Sequence, residues 1–550
     1  MVIRIAACAM LVALGLWHGV ARAAMVAEIE TVRGQVVQGT VLANKADGVV
    51  LEVAGTRAQI NLRWVEMVRF SVVNAGASGL AGPVGLPASV RLPAPVRLPA
   101  PVRLPAMERA GTLRLSGANS MGAQLLPALL ADYGAEAGLI GFQEDVGADP
   151  AMRVFLLQGA EATRRLRVQV QSLGSAGAFA DLLNGQADIG MSTRRVSDVE
   201  ARAMQYGSGA AVQRADQEHV IGLSGVVVIV HRDNPLRMIP LAQLRELLSG
   251  AMPRWPVGSA LGALAGQPVS VYGLDRRSGE YDVVQDRVLG ANGRLAGQAR
   301  LFVSHEDLAD AVAADPGAIG FVGAAYARNA RVLRLEQECG LAGDADEFYL
   351  KTEEYPLSRR LYLYATGRAS PLARDLVHYA ESARAQGVVA KAGFVNLDPV
   401  LSSIAQSAAQ LAAAGRFLPE DQQAPGAAQA QGLRQVLSGA RRLSVTFRFE
   451  AARADLDARA EADLTRLVGW ARNAGVAGSS LVLIGHASPD GLFPTNLELS
   501  RARALAVSAR LRQMGVSVGQ VEGVGPVNQV VCSKSPTEND MNRRVEVWIR

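Results

Sequence analysis

Three short segments place serine and glycine where a strand-like run gives way to a helix-like run, an arrangement suited to holding an anion. Residues 112–116 read as a strand, followed by Gly117-Ala118-Asn119-Ser120 and a helix carrying Leu126, Leu129, Leu130 and Tyr133. Residues 168–171 read as a second strand, followed by Gly174-Ser175-Ala176-Gly177 and a helix carrying Phe179, Leu182 and Leu183. Residues 269–272 read as a third, followed by Arg276-Arg277-Ser278-Gly279 and a helix carrying Tyr281, Val284 and Val288. A helix start leaves about four backbone N–H groups without intrahelical partners, and the macrodipole adds partial positive charge there. Small residues let a ligand oxygen approach, and a serine hydroxyl adds a donor. Ser and Asn also cap helices throughout proteins, so a single such loop carries little information. Three in one region, two with arginines nearby, leave an anion site and plain helix caps both open. No nucleophile–base set, Walker loop or metal-spaced Cys/His cluster accompanies them, so neither an enzyme, a cofactor nor a metal is expected.

The elements that must position these loops come in blocks. The chain has 550 residues, 49% of them hydrophobic and 19% charged, enough for several packed domains. Its net charge of +5 is small for that length and leaves no nucleic-acid footprint. Residues 1–23 read as a signal peptide: Arg4, an apolar stretch from Ile5 to Trp17, and Ala21-Arg22-Ala23 as cleavage site. Export follows as an expectation. Cys339 and Cys532 are then either two free thiols or one disulfide. Residues 24–75 alternate short apolar runs with turns and read as a small β-barrel or β-sheet. In 76–106 the hexamer Pro-Val-Arg-Leu-Pro-Ala recurs at 95–100 and 101–106, so proline blocks regular pairing and a semi-extended linker is expected. Residues 107–400 alternate strands and helices, the mark of an α/β domain. Residues 401–435 are Ala/Gln-rich with Pro419 and Pro425 and read as a second linker with some helix. Residues 436–550 form a last α/β unit, with apolar stripes at Leu456, Ala460, Leu464, Leu467, Val468 and at Ala504, Val507, Leu511, Met514. Its final strand alternates Val545, Val547 and Ile549 with Glu546, Trp548 and Arg550, as if half-buried.

The middle block resembles the periplasmic phosphate-binding proteins of bacterial ABC transporters, the PstS-like branch of the type II solute-binding fold. The resemblance rests on an ordered set: Ser116 to Gly122, Gly174 to Gly177, Asn184 to Arg194, Asn234-Pro235, Trp255, Ser278-Gly279, Gly317 to Val322 and Thr352 to Leu357. It implies two lobes joined by crossing strands with a small oxyanion such as phosphate between them, and an inner-membrane ABC transporter as partner. By position it implies an oxyanion set of Asn119, Ser120, Ser175, Thr193, Arg194, Arg276, Ser278 and Gly279. Three positions depart from the family's pattern. Its aspartate falls on Thr193, its arginine on Leu274 and its threonine on Glu280. Losing a guanidinium contact costs roughly 1.5–3 kcal/mol. Arg194, Arg276 or Arg277 could restore it, or each could be a surface arginine.

The last block resembles the OmpA-like peptidoglycan-binding domain. Gly485-His486-Ala487-Ser488-Pro489-Asp490-Gly491, then Asn496, Leu499-Ser500-Arg501-Ala502-Arg503-Ala504 and Asn542-Arg543-Arg544-Val545-Glu546 stand in the expected order. The resemblance implies that Ser488, Asp490, Asn496 and Arg503 meet the peptidoglycan stem peptide, where an acceptor anion and an arginine fork grip diaminopimelate. Ser488 occupies the family's aspartate position and Asp490 follows two residues on. Asn496 caps a helix or touches ligand, and Arg503 binds ligand or an internal carboxylate. The whole reads as a multidomain α/β protein: a small N-terminal β domain, a two-lobed type II binding-protein domain, and an OmpA-like α/β domain. The expected role is a solute-binding protein of the periplasm, held at peptidoglycan and the outer membrane. The alternative is a structural envelope protein whose binding fold no longer takes a solute.

Overall fold

The structure, a computed structural model, describes residues 23–31, 36–45, 48–53, 56–61, 65–74, 111–146, 151–159, 165–208, 217–276, 278–290, 292–449, 456, 458–476, 480–532 and 536–550. Residues 1–22 of the expected signal peptide, the proline-rich linker 76–106 and Arg277 lie outside the described residues. The N-terminal β domain is a five-stranded antiparallel sheet in the order Thr56–Asn61, Gly48–Val53, Val36–Lys45, Ala23–Thr31, Val65–Asn74. Each consecutive pair up to Thr56–Asn61 is a hairpin, and Val65–Asn74 returns to pair with the first strand.

Two lobes make the binding domain, and one sheet runs through both. In the first lobe, strands Gly111–Gly117, Arg165–Gln171 and Ile189–Ser192 lie parallel, flanked by the hairpin Leu139–Val146 and Met152–Gly159. In the second, Ser270–Leu274 pairs in parallel with Arg300–Phe302 and Ala318–Gly323. Two long strands cross between them. Glu218–Val230 is buried at all 13 positions, pairing with Ser358–Ala365 along its first half and with Ala318–Gly323 along its second. Ser358–Ala365 pairs in turn with Ile189–Ser192. The second half of Glu218–Val230, Val226-Val227-Val228-Ile229-Val230, is buried on both faces and so apolar without alternation, while Glu218, His219 and Ser224 in its first half are buried polar side chains. Each lobe has its own core, around Leu244, Leu308 and Phe321 in one and around Leu130, Phe155 and Val168 in the other.

The C-terminal domain is a four-stranded sheet in the order Arg441–Arg448, Arg544–Ile549, Leu481–Gly485, Gln520–Gly523. Leu464 and Leu467 of helix Ala458–Asn473 and Val507 and Leu511 of the second expected stripe fill its core, as the periodicity predicts. Two expectations are corrected here. Residues 401–435, expected as a linker with some helix, are mostly helix that packs on the domain: Ile404–Ala413 and Glu420–Val436, with Pro419 as the N-cap of the second. The final strand is not half-buried, because Glu546 and Trp548 on its other face are buried as fully as Val545 and Val547. One finding explains the other. Gln410 on the first of these helices donates to Glu546 at 3.0 Å, and Gln429 on the second donates to the Gly523 carbonyl, so this helical pair packs along the domain instead of leaving it.

Charge and a disulfide join the binding domain to the C-terminal domain. Glu353 follows helix Glu347–Lys351 with φ +63°, and its buried carboxylate meets Arg360 at 2.7 Å, Arg448 at 3.3 Å and Arg459. Glu354 meets Arg442 at 2.6 Å, and Arg442 reaches Glu546 at 3.3 Å. Burial of the Glu353 carboxyl opposes its charge, but the three guanidinium groups hold it well below the usual carboxylate range. Cys339 and Cys532 form a disulfide across the same junction, 193 residues apart in sequence, which decides between the two expectations for these thiols.

Replacing both cysteines with serine is expected to lower stability by about 2–5 kcal/mol, since a long loop opens in the unfolded chain. Glu353→Gln is expected to cost about 3–5 kcal/mol, because buried guanidinium groups lose their shared anion. Urea unfolding at pH 7 checks both; unchanged midpoints would show that neither link holds the junction.

Candidate functional site

Backbone geometry brings the three serine–glycine loops to the mouth of the sheet between the lobes. Gly117 has φ +140°, and a Cβ there would strike the Met191 carbonyl at 1.9 Å, so only glycine closes the first strand–helix junction. Ser120 follows in the opening turn of its helix, 5% exposed, with a buried Oγ that has no hydrogen-bond partner. Ser175 opens helix Gly174–Leu183, and its Oγ accepts the Thr193 N–H at 3.0 Å. Ser278 caps helix Gly279–Val284 by accepting the Tyr281 N–H at 3.1 Å. Gly279 is the point of closest approach: a Cβ there would lie 2.5 Å from Ser120 Oγ and 2.5 Å from an Arg359 nitrogen.

Arg359, which the sequence reading missed, is the cation at this point. It stands near the start of crossing strand Ser358–Ala365. Its Nη1 donates to Thr193 Oγ1 at 3.1 Å, its Nη2 donates to the Gly279 carbonyl, and its buried Nε has no partner. One guanidinium thus touches both lobes. Burial lowers its pKa from the ordinary arginine value, while the charges of Glu280 and Asp282 oppose that. Leu274, where the family pattern would place an arginine, lies in the core of the second lobe, fully buried. The only signal for Arg359 was the pair Arg359-Arg360 just after Thr352 to Leu357, far in sequence from every serine loop.

The expected oxyanion residues divide into two groups. Asn119, Ser120, Ser278 and Gly279 line a cavity of about 430 Å3 that also holds Arg153 and Glu280. Ser175, Thr193 and Arg194 line a chamber of about 1,200 Å3 together with Arg359. The guanidinium of Arg194 is not free to replace a missing ligand: it pairs with Glu200 at 2.6 Å and lies 5.2 Å from the centre of the Phe179 ring. Arg276 is exposed and lines neither cavity. Glu280 is buried, its carboxylate 3.8 Å from His305 Nε2.

In the C-terminal domain the side chain without an answer is Arg503 on helix Phe493–Gln513. It is 0% exposed, and none of its three nitrogens has a hydrogen-bond partner. Its guanidinium lies 5.5 Å from the centre of the Phe449 ring. Burial pushes it down to about 10, with Arg543 lowering it further and Asp540 raising it, so it stays charged at neutral pH. Ser488 is buried, and Asp490 is exposed. Asn496 is also buried and donates its side-chain amide to the Asp490 carbonyl at 2.8 Å, a bond that shapes the loop. His486 Nε2 lies 3.5 Å from Glu546 Oε2; burial, helped by Arg544, pushes the imidazole down to about 4, so it is neutral. Among the described residues no group of three or more His, Cys, Asp or Glu could hold a metal ion. No described helix is long and apolar enough to cross a membrane.

Residues 147–384 match the PBP superfamily domain, and residues 448–544 match the OmpA family. The chain therefore joins a PBP-like domain to an OmpA domain. The Phosphate-binding protein PstS of Pseudomonas aeruginosa is 25% identical over 309 residues, which is 53% of this chain and 93% of that protein. Protein SphX of Synechococcus elongatus is 24% identical over 251 residues, 42% of this chain and 72% of that one. Among solved structures, an ABC-type phosphate transport receptor from Vibrio cholerae is similar with a TM-score of 0.39 and 18% identity, over 52% of this chain and 99% of that one.

The buried imidazole sets a pH dependence. The unfolded chain protonates His486 near its ordinary 6.5, whereas the folded chain refuses that proton down to about 4. Stability from this group is therefore complete above pH 6.5 and is lost as pH falls toward 4, by about 1.4 kcal/mol per pH unit within the window. Thermal unfolding from pH 7 to 4.5 is expected to show this slope, and His486→Gln is expected to flatten it by one proton's worth.

Proposed function

We propose that this protein is an exported solute-binding protein for phosphate or a related oxyanion, tethered to peptidoglycan through its OmpA domain. It would then work in the periplasm, beside the wall and the outer membrane. The observation that carries the tether is Arg503, a fully buried guanidinium with no acceptor on any nitrogen. Leaving such a charge uncompensated costs several kcal/mol, so the site is suited to a carboxylate guest such as the diaminopimelate of the stem peptide. The oxyanion reading is supported by the names of the relatives and by what faces the cleft: the free Ser120 hydroxyl, the Ser175–Thr193 pair, and Arg359, standing in for the guanidinium that Leu274 cannot supply. An ABC transporter in the inner membrane is the matching partner. Catalysis is not part of this reading. A wall-held receptor would sense or capture its solute locally.

One observation favours a second reading, a structural envelope protein that has given up its solute. Arg359 already bridges Thr193 and Gly279, and so can hold the lobes closed without any guest.

Thermal unfolding in phosphate separates the two. A ligand at about 100 times its Kd raises stability by about 2.7 kcal/mol. Phosphate is expected to raise the Tm of the wild type and not that of Arg359→Met; a flat wild-type response would favour the structural reading. Separately, the wild type is expected to co-sediment with purified peptidoglycan. Arg503→Met is expected to lose at least about tenfold in wall affinity, the worth of one charge-assisted contact, while melting no lower than wild type. A wild type that stays in the supernatant removes the tether.

A further inference from the structure

The chamber of about 1,200 Å3 is larger than any small oxyanion needs, since pockets of roughly 300–1,000 Å3 already hold drug-sized ligands. Its walls come from both domains: Asp282, Ser358 and Arg359 on one side, Phe449, Asp540 and Arg543 on the other. Most of its lining arginines are neutralised in place. Arg194 pairs with Glu200, Arg195 with Glu218, Arg360 and Arg448 with Glu353, and Arg543 with Asp540.

Two opposite charges are left over. Arg359 bonds only uncharged oxygens and keeps a bare Nε. Asp282, an exposed residue, takes part in no ion pair and no side-chain hydrogen bond among the described residues; desolvation of its carboxyl raises its pKa, Arg359 lowers it and Glu280 raises it. Ser358 Oγ, beside Arg359 on the same strand, is buried and also unpartnered. A guanidinium takes a carboxylate and a carboxylate takes an ammonium, so a guest with both groups satisfies the pair at once. Leu241, Val283 and Phe449 are among the apolar residues that line the chamber.

We propose that the chamber between the binding domain and the C-terminal domain binds a short zwitterionic peptide, with a carboxylate on Arg359, an ammonium on Asp282 and Ser358 as an added donor. This goes beyond the oxyanion reading and rests only on its premise that the binding domain still takes a guest.

The test is isothermal titration of the full-length, disulfide-intact protein with the soluble stem tripeptide Ala-Glu-diaminopimelate, and separately with inorganic phosphate. Saturable peptide binding is expected to persist in Arg503→Met, which removes the site proposed for the wall, and in that background to be weakened at least about tenfold by Asp282→Asn and measurably by Ser358→Ala, with the melting temperature of each variant confirming its fold. Ser358→Ala removes a hydroxyl that bonds nothing in the free protein, so its fold does not depend on it. Wild-type affinity in both variants would overturn the inference, as would peptide binding lost in Arg503→Met and kept in Asp282→Asn, which would assign the peptide to Arg503. Heat with phosphate and none with the peptide would overturn the chamber and leave the oxyanion reading standing. Heat with neither would overturn both.

Discussion

One carboxylate, that of Glu353, is shared by three guanidinium groups at the junction of the binding and C-terminal domains, and much of the architecture depends on it. A guanidinium does not lose its proton in a protein interior, so a buried arginine has to be answered by an anion. Arg448 and Arg459 come from the C-terminal domain and Arg360 from the crossing strand of the binding domain. Separating the domains would leave these charges to water and to each other. Arg360 is also the neighbour of Arg359, so the strand fastened to the C-terminal domain is the strand that carries the cation of the cleft.

The same rule singles out the sites. Of the buried arginines among the described residues, Arg442, Arg448, Arg459, Arg543 and Arg544 each have a carboxylate within ion-pair distance, and Arg503 alone has none. Arg359 is the milder case, bonded to a hydroxyl and a carbonyl and to no anion. Under the proposed function, these two cations are the ones that anionic guests would answer. The contrast with Arg194 is instructive: a candidate by position, it is neutralised by Glu200 and has nothing left to offer.

Much of the fold was legible because it rests on local pattern. The stripe Leu464, Leu467, Val468 and the alternation Val545, Val547 follow the periods of helix and strand, and each meets the core it predicts. At 404–436 some helix was legible, but not that two helices pack against the last domain. Their Ala/Gln composition and two prolines read as a linker because what holds them is contact with Glu546 and Gly523, 136 and 94 residues away. The motif Thr352 to Leu357 was legible as a family match, yet nothing local told that Glu353 and Glu354 would face arginines of another domain.

The amino-acid order alone determined that serine–glycine loops precede helices, that an arginine sits where a wall peptide's fork is expected, and that two α/β blocks follow a β block. These are properties of residue type and spacing, which short-range sterics and hydrogen bonding already dictate. Tertiary structure alone decided which charges are answered. It divided the serine loops between two cavities, set Arg359 against both lobes, joined Cys339 to Cys532, and left Arg503 with no partner. Whether a charge has a partner depends on segments brought together from far apart in the chain, and no period or local spacing encodes that meeting.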